Sequence, residues 1–165
     1  MKNVAKVLLM LSNLIVSLST MANITNGDNE TTSFDVGGTI QPQCKVKARN
    51  LNRAIGLDLS SATRQKTANI QIWCNTGQSQ ATASYSSLNG GQLVNEAGQK
   101  IPYLMQIPNT VGDVSLSQTQ TVSQRTGTGI AGDHKGRVVK ITPQVNGFEY
   151  AGIYRDTIEV TVSPN

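Results

Sequence analysis

Residues Asp156–Asn165 read D-T-I-E-V-T-V-S-P-N and close the chain. Ile158, Val160 and Val162 alternate with Thr157, Glu159 and Thr161, the period of two that turns one strand face to a core and the other to water. Only Ser163, Pro164 and Asn165 follow, so the sequence offers no next strand to pair with this one. An apolar strand with an unpaired edge is a template for addition by another chain. The expectation is a β-domain that borrows backbone from a neighbour. Alternation alone favours an ordinary half-buried strand in a complete sandwich.

Upstream, short alternating runs recur between Gly, Asn, Ser and Pro, and no segment sustains a helical period. Phe34, Val36 and Ile40 lead into Cys44 and Val46, read as a first strand. Ile55, Leu57 and Leu59 form a second run. In A-N-I-Q-I-W-C, Ala68, Ile70, Ile72 and Cys74 share one face and Asn69, Gln71 and Trp73 the other. Trp73 therefore points away from Cys74, unlike the buried tryptophan of antibody domains. A small-residue run, Ala81–Tyr85, precedes a turn at Gly90-Gly91. Leu93-Val94 and Ile101–Ile107 are expected to form a hairpin with Ile101, Tyr103, Met105 and Ile107 inward. Ser115–Gln124 reads as a weak edge strand and Ser123–Gly136 as a glycine-broken loop. V-V-K-I-T leads through the turn dipeptide Asn146-Gly147 to a terminal strand starting near Ile153. About six or seven strands result, an all-β, immunoglobulin-like antiparallel sandwich that is one strand short.

The start of the chain carries an export pattern. Lys2 and Lys6 precede an apolar stretch from Val7 to Ser19, and Thr20 and Ala22 are the small residues before a cut after Ala22. That stretch is about 13 residues, below the roughly 20 that span a bilayer. The expected organisation is a signal peptide over 1–22, an N-terminal extension over 23–33 and a sandwich domain over 34–165, without stable membrane insertion after cleavage. Two cysteines in an exported chain imply a disulfide, Cys44–Cys74. Its loop of about 30 residues is worth roughly 3–4 kcal/mol in the chain-entropy model.

Charge implies no electrostatic partner. Lys and Arg number 14 against 10 Asp and Glu, and two of the 14 leave with the signal. Lys45, Lys47 and Arg49 alternate and are read as a solvated strand face with Arg53 beyond it. No aromatics interleave with them, so no nucleic-acid surface is expected. No metal site is expected either: His134 is the single histidine and no C-x-x-C occurs. His134 sits in a glycine-flanked loop without a nucleophile motif, and Asp156 and Glu159 fall on opposite strand faces. Gly127–Gly132 matches G-x-G-x-x-G outside any strand-to-helix context. Neither an enzyme nor a cofactor is indicated.

Cys44, I-Q-I-W-C ending at Cys74, I-P-Y-L at 101–104 and A-G-I-Y-R-D-T-I-E-V-T-V-S-P at 151–164 together resemble the chaperone–usher pilins, in their spore coat protein U-like, archaic branch. The resemblance implies an immunoglobulin-like fold lacking its last strand. A periplasmic chaperone lends that strand, and at the outer-membrane usher the N-terminal extension of another pilin subunit replaces it. It implies that Ile158, Val160 and Val162 belong to the strand that pairs with the donated one, and that Cys44–Cys74 is the family's disulfide. The product would be a surface fimbria of a Gram-negative bacterium, serving adhesion or biofilm formation.

The chain departs from the pattern in its extension. Asn23–Ser33 contains Ile24 as its only aliphatic residue. Either the donor strand is unusually polar, with Ile24, Thr32, Phe34 and Val36 as its candidates and the last two shared with the expected first strand, or the subunit is a poor donor. The reading from another class is a self-contained secreted carbohydrate-binding module using Trp73 and Tyr85 as stacking platforms.

Overall fold

In the computed structural model, residues 31–107, 111–127 and 134–165 are described. The expected signal peptide and Ile24 lie outside them. Backbone contacts divide the chain into units 1–38 and 39–165. In the first, residues 31–38 form neither helix nor strand, and Phe34 and Val36 are 83% and 85% exposed.

The second unit holds nine strands among its described residues: β1 Cys44–Arg49, β2 Gln65–Cys74, β3 Gln80–Ser87, β4 Gln92–Val94, β5 Lys100–Ile107, β6 Val111–Val114, β7 Gln120–Arg125, β8 Lys135–Pro143 and β9 Ile158–Pro164. One sheet runs β1-β2-β8-β5-β4, with β6 also on β5, and the other runs β7-β3-β9. All these pairings are antiparallel. The result is the two-layer immunoglobulin-like sandwich that the strand pattern implies.

Alternation located the core correctly. Ile70, Ile72 and Cys74 of β2, Ile101, Tyr103, Met105 and Ile107 of β5, and Val139 and Ile141 of β8 are all buried. Opposite them Ala81, Ala83 and Tyr85 of β3 are sealed from solvent. The β4–β5 hairpin forms with Leu93 across from Ile101. The weak edge strand is β7, and Leu116 before it is buried.

Three expectations are corrected. Cys44 opens the first strand, and Phe34, Val36 and Ile40 lie outside any strand. The run Ile55–Leu59 is not a strand. Asn50, at φ 60° and ψ 36°, turns the chain out of β1 into the helix α1, Leu51–Ala54. Asparagine tolerates this left-handed backbone better than most residues. Beyond α1, the amide of Asp58 donates to Oε1 of Gln65 at 2.8 Å, and Nε2 of Gln65 donates to the Asp58 carbonyl at 2.6 Å. That side chain takes the place of a strand partner. Finally, Asn146-Gly147 turns with Gly147 at φ 88°, but it joins no hairpin. β8 and β9 belong to different sheets, and β9 begins at Ile158 rather than near Ile153.

Candidate functional site

β1 pairs with β2 alone, and β9 pairs with β3 alone, among the described residues. One edge of each therefore carries backbone N–H and C=O groups without a strand partner. Between these two edges lies a cleft of about 380 Å³. Val46 and Ala48 of β1 form one wall, and Ile158 and Val160 of β9 the other. Leu51, Ala54 and Leu57 line it from α1 and the turn beyond. Ile70, Met105, Val139 and Ile141 reach it from the core.

The sequence pattern explains why this wall is apolar and yet open. Val46 faces the interior in register with Ile72, which is fully buried, whereas Val46 is 39% exposed. Ile158, Val160 and Val162 pack against the core and remain half-buried. The structure places the first two in the cleft. Val162, opposite Ala83, packs on the core without lining it. Cys44 and Cys74 are disulfide-bonded across the first rung of the β1–β2 ladder, which ties the free-edged strand β1 to the sheet. Thr32, Phe34 and Val36 are exposed in residues 31–38.

One end of the cleft is polar, and sequence reasoning missed its organising residue. Asp156, just before β9, accepts hydrogen bonds on Oδ2 from the Tyr103 and Ser87 hydroxyls, each at 2.6 Å. Its Oδ1 accepts from the amides of Asn89 at 3.1 Å and Thr157 at 2.7 Å. Four donors meet the acceptor capacity of one carboxylate, so the group sits half-buried with no ion pair to a cation among the described residues. Ser87 Oγ in turn accepts from the Gly91 amide at 2.7 Å. At Gly91, φ is 76° and a Cβ would meet Leu116 backbone at 3.0 Å, so only glycine fits. The knot fixes the start of β9 against β3 and β5. Its signal in the sequence is a lone carboxylate immediately ahead of an apolar strand.

Burial pushes the Tyr103 phenol far up, with the Asp156 hydrogen bond adding to it. Burial also pushes Tyr85 up to about 12, opposed by its hydrogen bond to Gln124. Both phenols are hydrogen-bond donors at ordinary pH. Tyr85 is 0% exposed and donates to Gln124 Oε1 at 2.6 Å, so it is no stacking platform for a sugar. Trp73 is partly buried, and the Lys45 ammonium lies 5.3 Å from its ring centroid. The paired platforms of the carbohydrate reading are absent.

His134 is exposed, and Glu159 lies opposite Ser86 on the solvent side of β9. Of the glycine-rich run, Gly127 bridges Trp73, and 128–132 lie outside the described residues. Among the described residues no helix is long and apolar enough to cross a membrane.

No curated protein sequence matches the chain. Among solved structures, the chain is similar to one in the crystal structure of the CsuC–CsuE chaperone–tip adhesion subunit pre-assembly complex from archaic chaperone–usher Csu pili of Acinetobacter baumannii. The identity is 16% and the TM-score 0.46, over 75% of this chain and 40% of that one. The chain thus spans less than half of that solved chain. The Spore Coat Protein U domain model matches residues 30–161, and the chain belongs to that family.

Proposed function

We propose that this protein is a structural subunit of a surface fimbria, assembled by the chaperone–usher pathway through donor-strand complementation. The cleft between β1 and β9 receives the donated strand. The observation that carries this reading is the pair of free strand edges facing each other across an apolar cleft. An inserted strand meets the unpaired backbone groups of β1 and β9 and sends alternate side chains to the cleft floor. Each large apolar side chain buried in this way contributes roughly 1.5–3 kcal/mol.

A periplasmic chaperone supplies the strand first, and another pilin subunit supplies it at the outer-membrane usher. The protein is exported through the periplasm to the cell surface, with residues 1–22 as signal peptide and 23–33 as extension. On the receiving side Ile158 and Val160 contact the donor, and Val162 supports that wall from the core. On the donating side Thr32, Phe34 and Val36 carry the alternating pattern, with Ile24 further out. Family membership supports a structural rather than an enzymatic role, and no residue is assigned to catalysis. The assembled fibre serves adhesion or biofilm formation.

The test is periplasmic expression with and without a candidate chaperone. Soluble protein is expected only as a stoichiometric complex with the chaperone, and Val160→Asp is expected to abolish that complex. A stable soluble monomer without any chaperone, indifferent to Val160→Asp, refutes the reading.

A further inference from the structure

The outer face of the larger sheet is more basic than the linear sequence discloses. In register, Lys45 lies opposite Trp73, Lys47 opposite Gln71 and Arg49 opposite Asn69. Across β2, Asn69 faces Val138 and Lys66 faces Lys140, and Lys140 in turn faces Gln106 of β5. Paired residues of an antiparallel ladder share a face. Lys45, Lys47, Arg49, Lys66 and Lys140 are thus gathered on one side of β1, β2 and β8, with the core on the other.

Four of these five are exposed and Lys140 is half-buried. Asp113, on the adjoining edge strand β6, is paired at 2.5 Å with Arg64, which is not one of the five. None of the five has a carboxylate within ion-pair distance among the described residues. Lys66 and Lys140 stand directly across from each other, an arrangement that costs stability through like-charge repulsion. A face that gathers unpaired cations and opposes two of them is complementary to a polyanion. On the smaller sheet the two central outward rungs, Thr121–Ser84–Thr161 and Ser123–Thr82–Ser163, carry only hydroxyls, and the rungs beside them bring one cation, Arg125, and one carboxylate, Glu159.

We propose that the outer face of β1-β2-β8 binds an acidic polysaccharide, a polymer of carboxylated or sulfated sugars. The cations meet its anionic groups; Arg49 Nε donates to Gln71 Oε1 at 2.7 Å, which leaves the Gln71 amide nitrogen and the Gln106 side chain to hydrogen-bond its hydroxyls. Nucleic-acid-binding sheets add aromatic platforms for the bases. Here Trp73 is the one aromatic residue among the described residues of the face, and Lys45 covers its ring at 5.3 Å. The proposal goes beyond the strand-receiving cleft and does not rest on it. In a fibre the face would recur at every subunit, and avidity multiplies a weak single contact.

The test loads exported protein, in whatever assembled form it is recovered, on immobilised heparin and elutes it with salt. Losing Lys45, Lys47 and Arg49 to Gln is expected to weaken binding about tenfold or more and to flatten its salt dependence, by analogy with counterion release from other polyanions. Lys66→Gln with Lys140→Gln is expected to lower the elution salt, although neither residue belongs to the β1 run. Arg125→Gln with Arg155→Gln removes the same charge elsewhere and is expected to elute as the parent does. Equal shifts from the two double variants overturn the proposal in favour of net charge. Tighter binding of duplex DNA than of heparin at equal salt overturns the assigned polymer. All five positions lie on the sheet's outer face, and the Lys66/Lys140 variant relieves a repulsion, so it provides a folded variant if the triple is poorly exported.

Discussion

β8 has β2 on one side and β5 on the other, and its Val139 and Ile141 are 5% and 4% exposed. β1, two places further out in the same sheet, has β2 alone. Its Val46 turns the same way and stays 39% exposed. The smaller sheet repeats the contrast: β3, between β7 and β9, keeps Ala81, Ala83 and Tyr85 at 0%, while Ile158, Val160 and Val162 of β9 remain half-buried. Side-chain alternation sets which face looks inward. The number of neighbouring strands sets whether that face is covered.

Supplying the missing neighbour is the strongest way to sharpen this contrast. A second copy of residues 31–40, grafted after Asn165 through a flexible linker, presents Phe34, Val36 and Ile40 at alternate positions. It is expected to raise unfolding free energy on the order of 5 kcal/mol, and the urea midpoint with it. An unchanged midpoint breaks the comparison.

Next come paired truncations on the two flanks. Ile72→Ala, in the closed flank, is expected to cost about 2–5 kcal/mol with or without the graft. Val46→Ala, opposite it in register, is expected to cost well under about 1 kcal/mol in the ungrafted chain and more in the grafted one. Equal costs for Val46→Ala in both backgrounds place the graft outside the cleft.

Asp156→Ala leaves the buried Tyr103 hydroxyl without its acceptor, at a cost of about 1–3 kcal/mol. The same change frees the start of β9, so slowed exchange of the Glu159 and Thr161 amides, which face β3 in this register, is expected to be lost before that of β5. Uniform loss across both sheets would mean the knot supports the whole sandwich rather than its open flank.

The smallest effect is alkaline. Burial holds Tyr85 at about 12 in the folded state, above the ordinary phenol value near 10. A raised folded value makes this contribution complete below about pH 10, and it falls away as pH climbs toward 12. The urea midpoint should therefore decline over that window, and Tyr85→Phe should flatten the decline. A decline that Tyr85→Phe leaves untouched belongs to other groups.

The faces of β2, β5 and β9 were legible because period two is a local property of the chain. The disulfide was legible because an exported chain with two cysteines has one pairing available. What escaped were features decided by partners distant in sequence. Ile55–Leu59 carries a strand pattern, yet Asn50 turns the backbone and the Gln65 side chain occupies the hydrogen-bonding edge. Asp156 read as one of two unpaired carboxylates, because its donors Tyr103, Ser87 and Asn89 come from other segments.

From residue order alone came the all-β class, the inward faces, the covalent link and the suspicion that the last strand lacks a companion. These rest on local stereochemistry, which needs no knowledge of the remainder. Tertiary structure alone decided that β1 and β9 face each other across one cleft. It also decided that Asp156 is a hydrogen-bonded knot, and that Lys66 and Lys140 join the β1 cations on a single face. Each is a meeting of residues far apart in the chain, and cross-strand register determines such meetings where local pattern cannot.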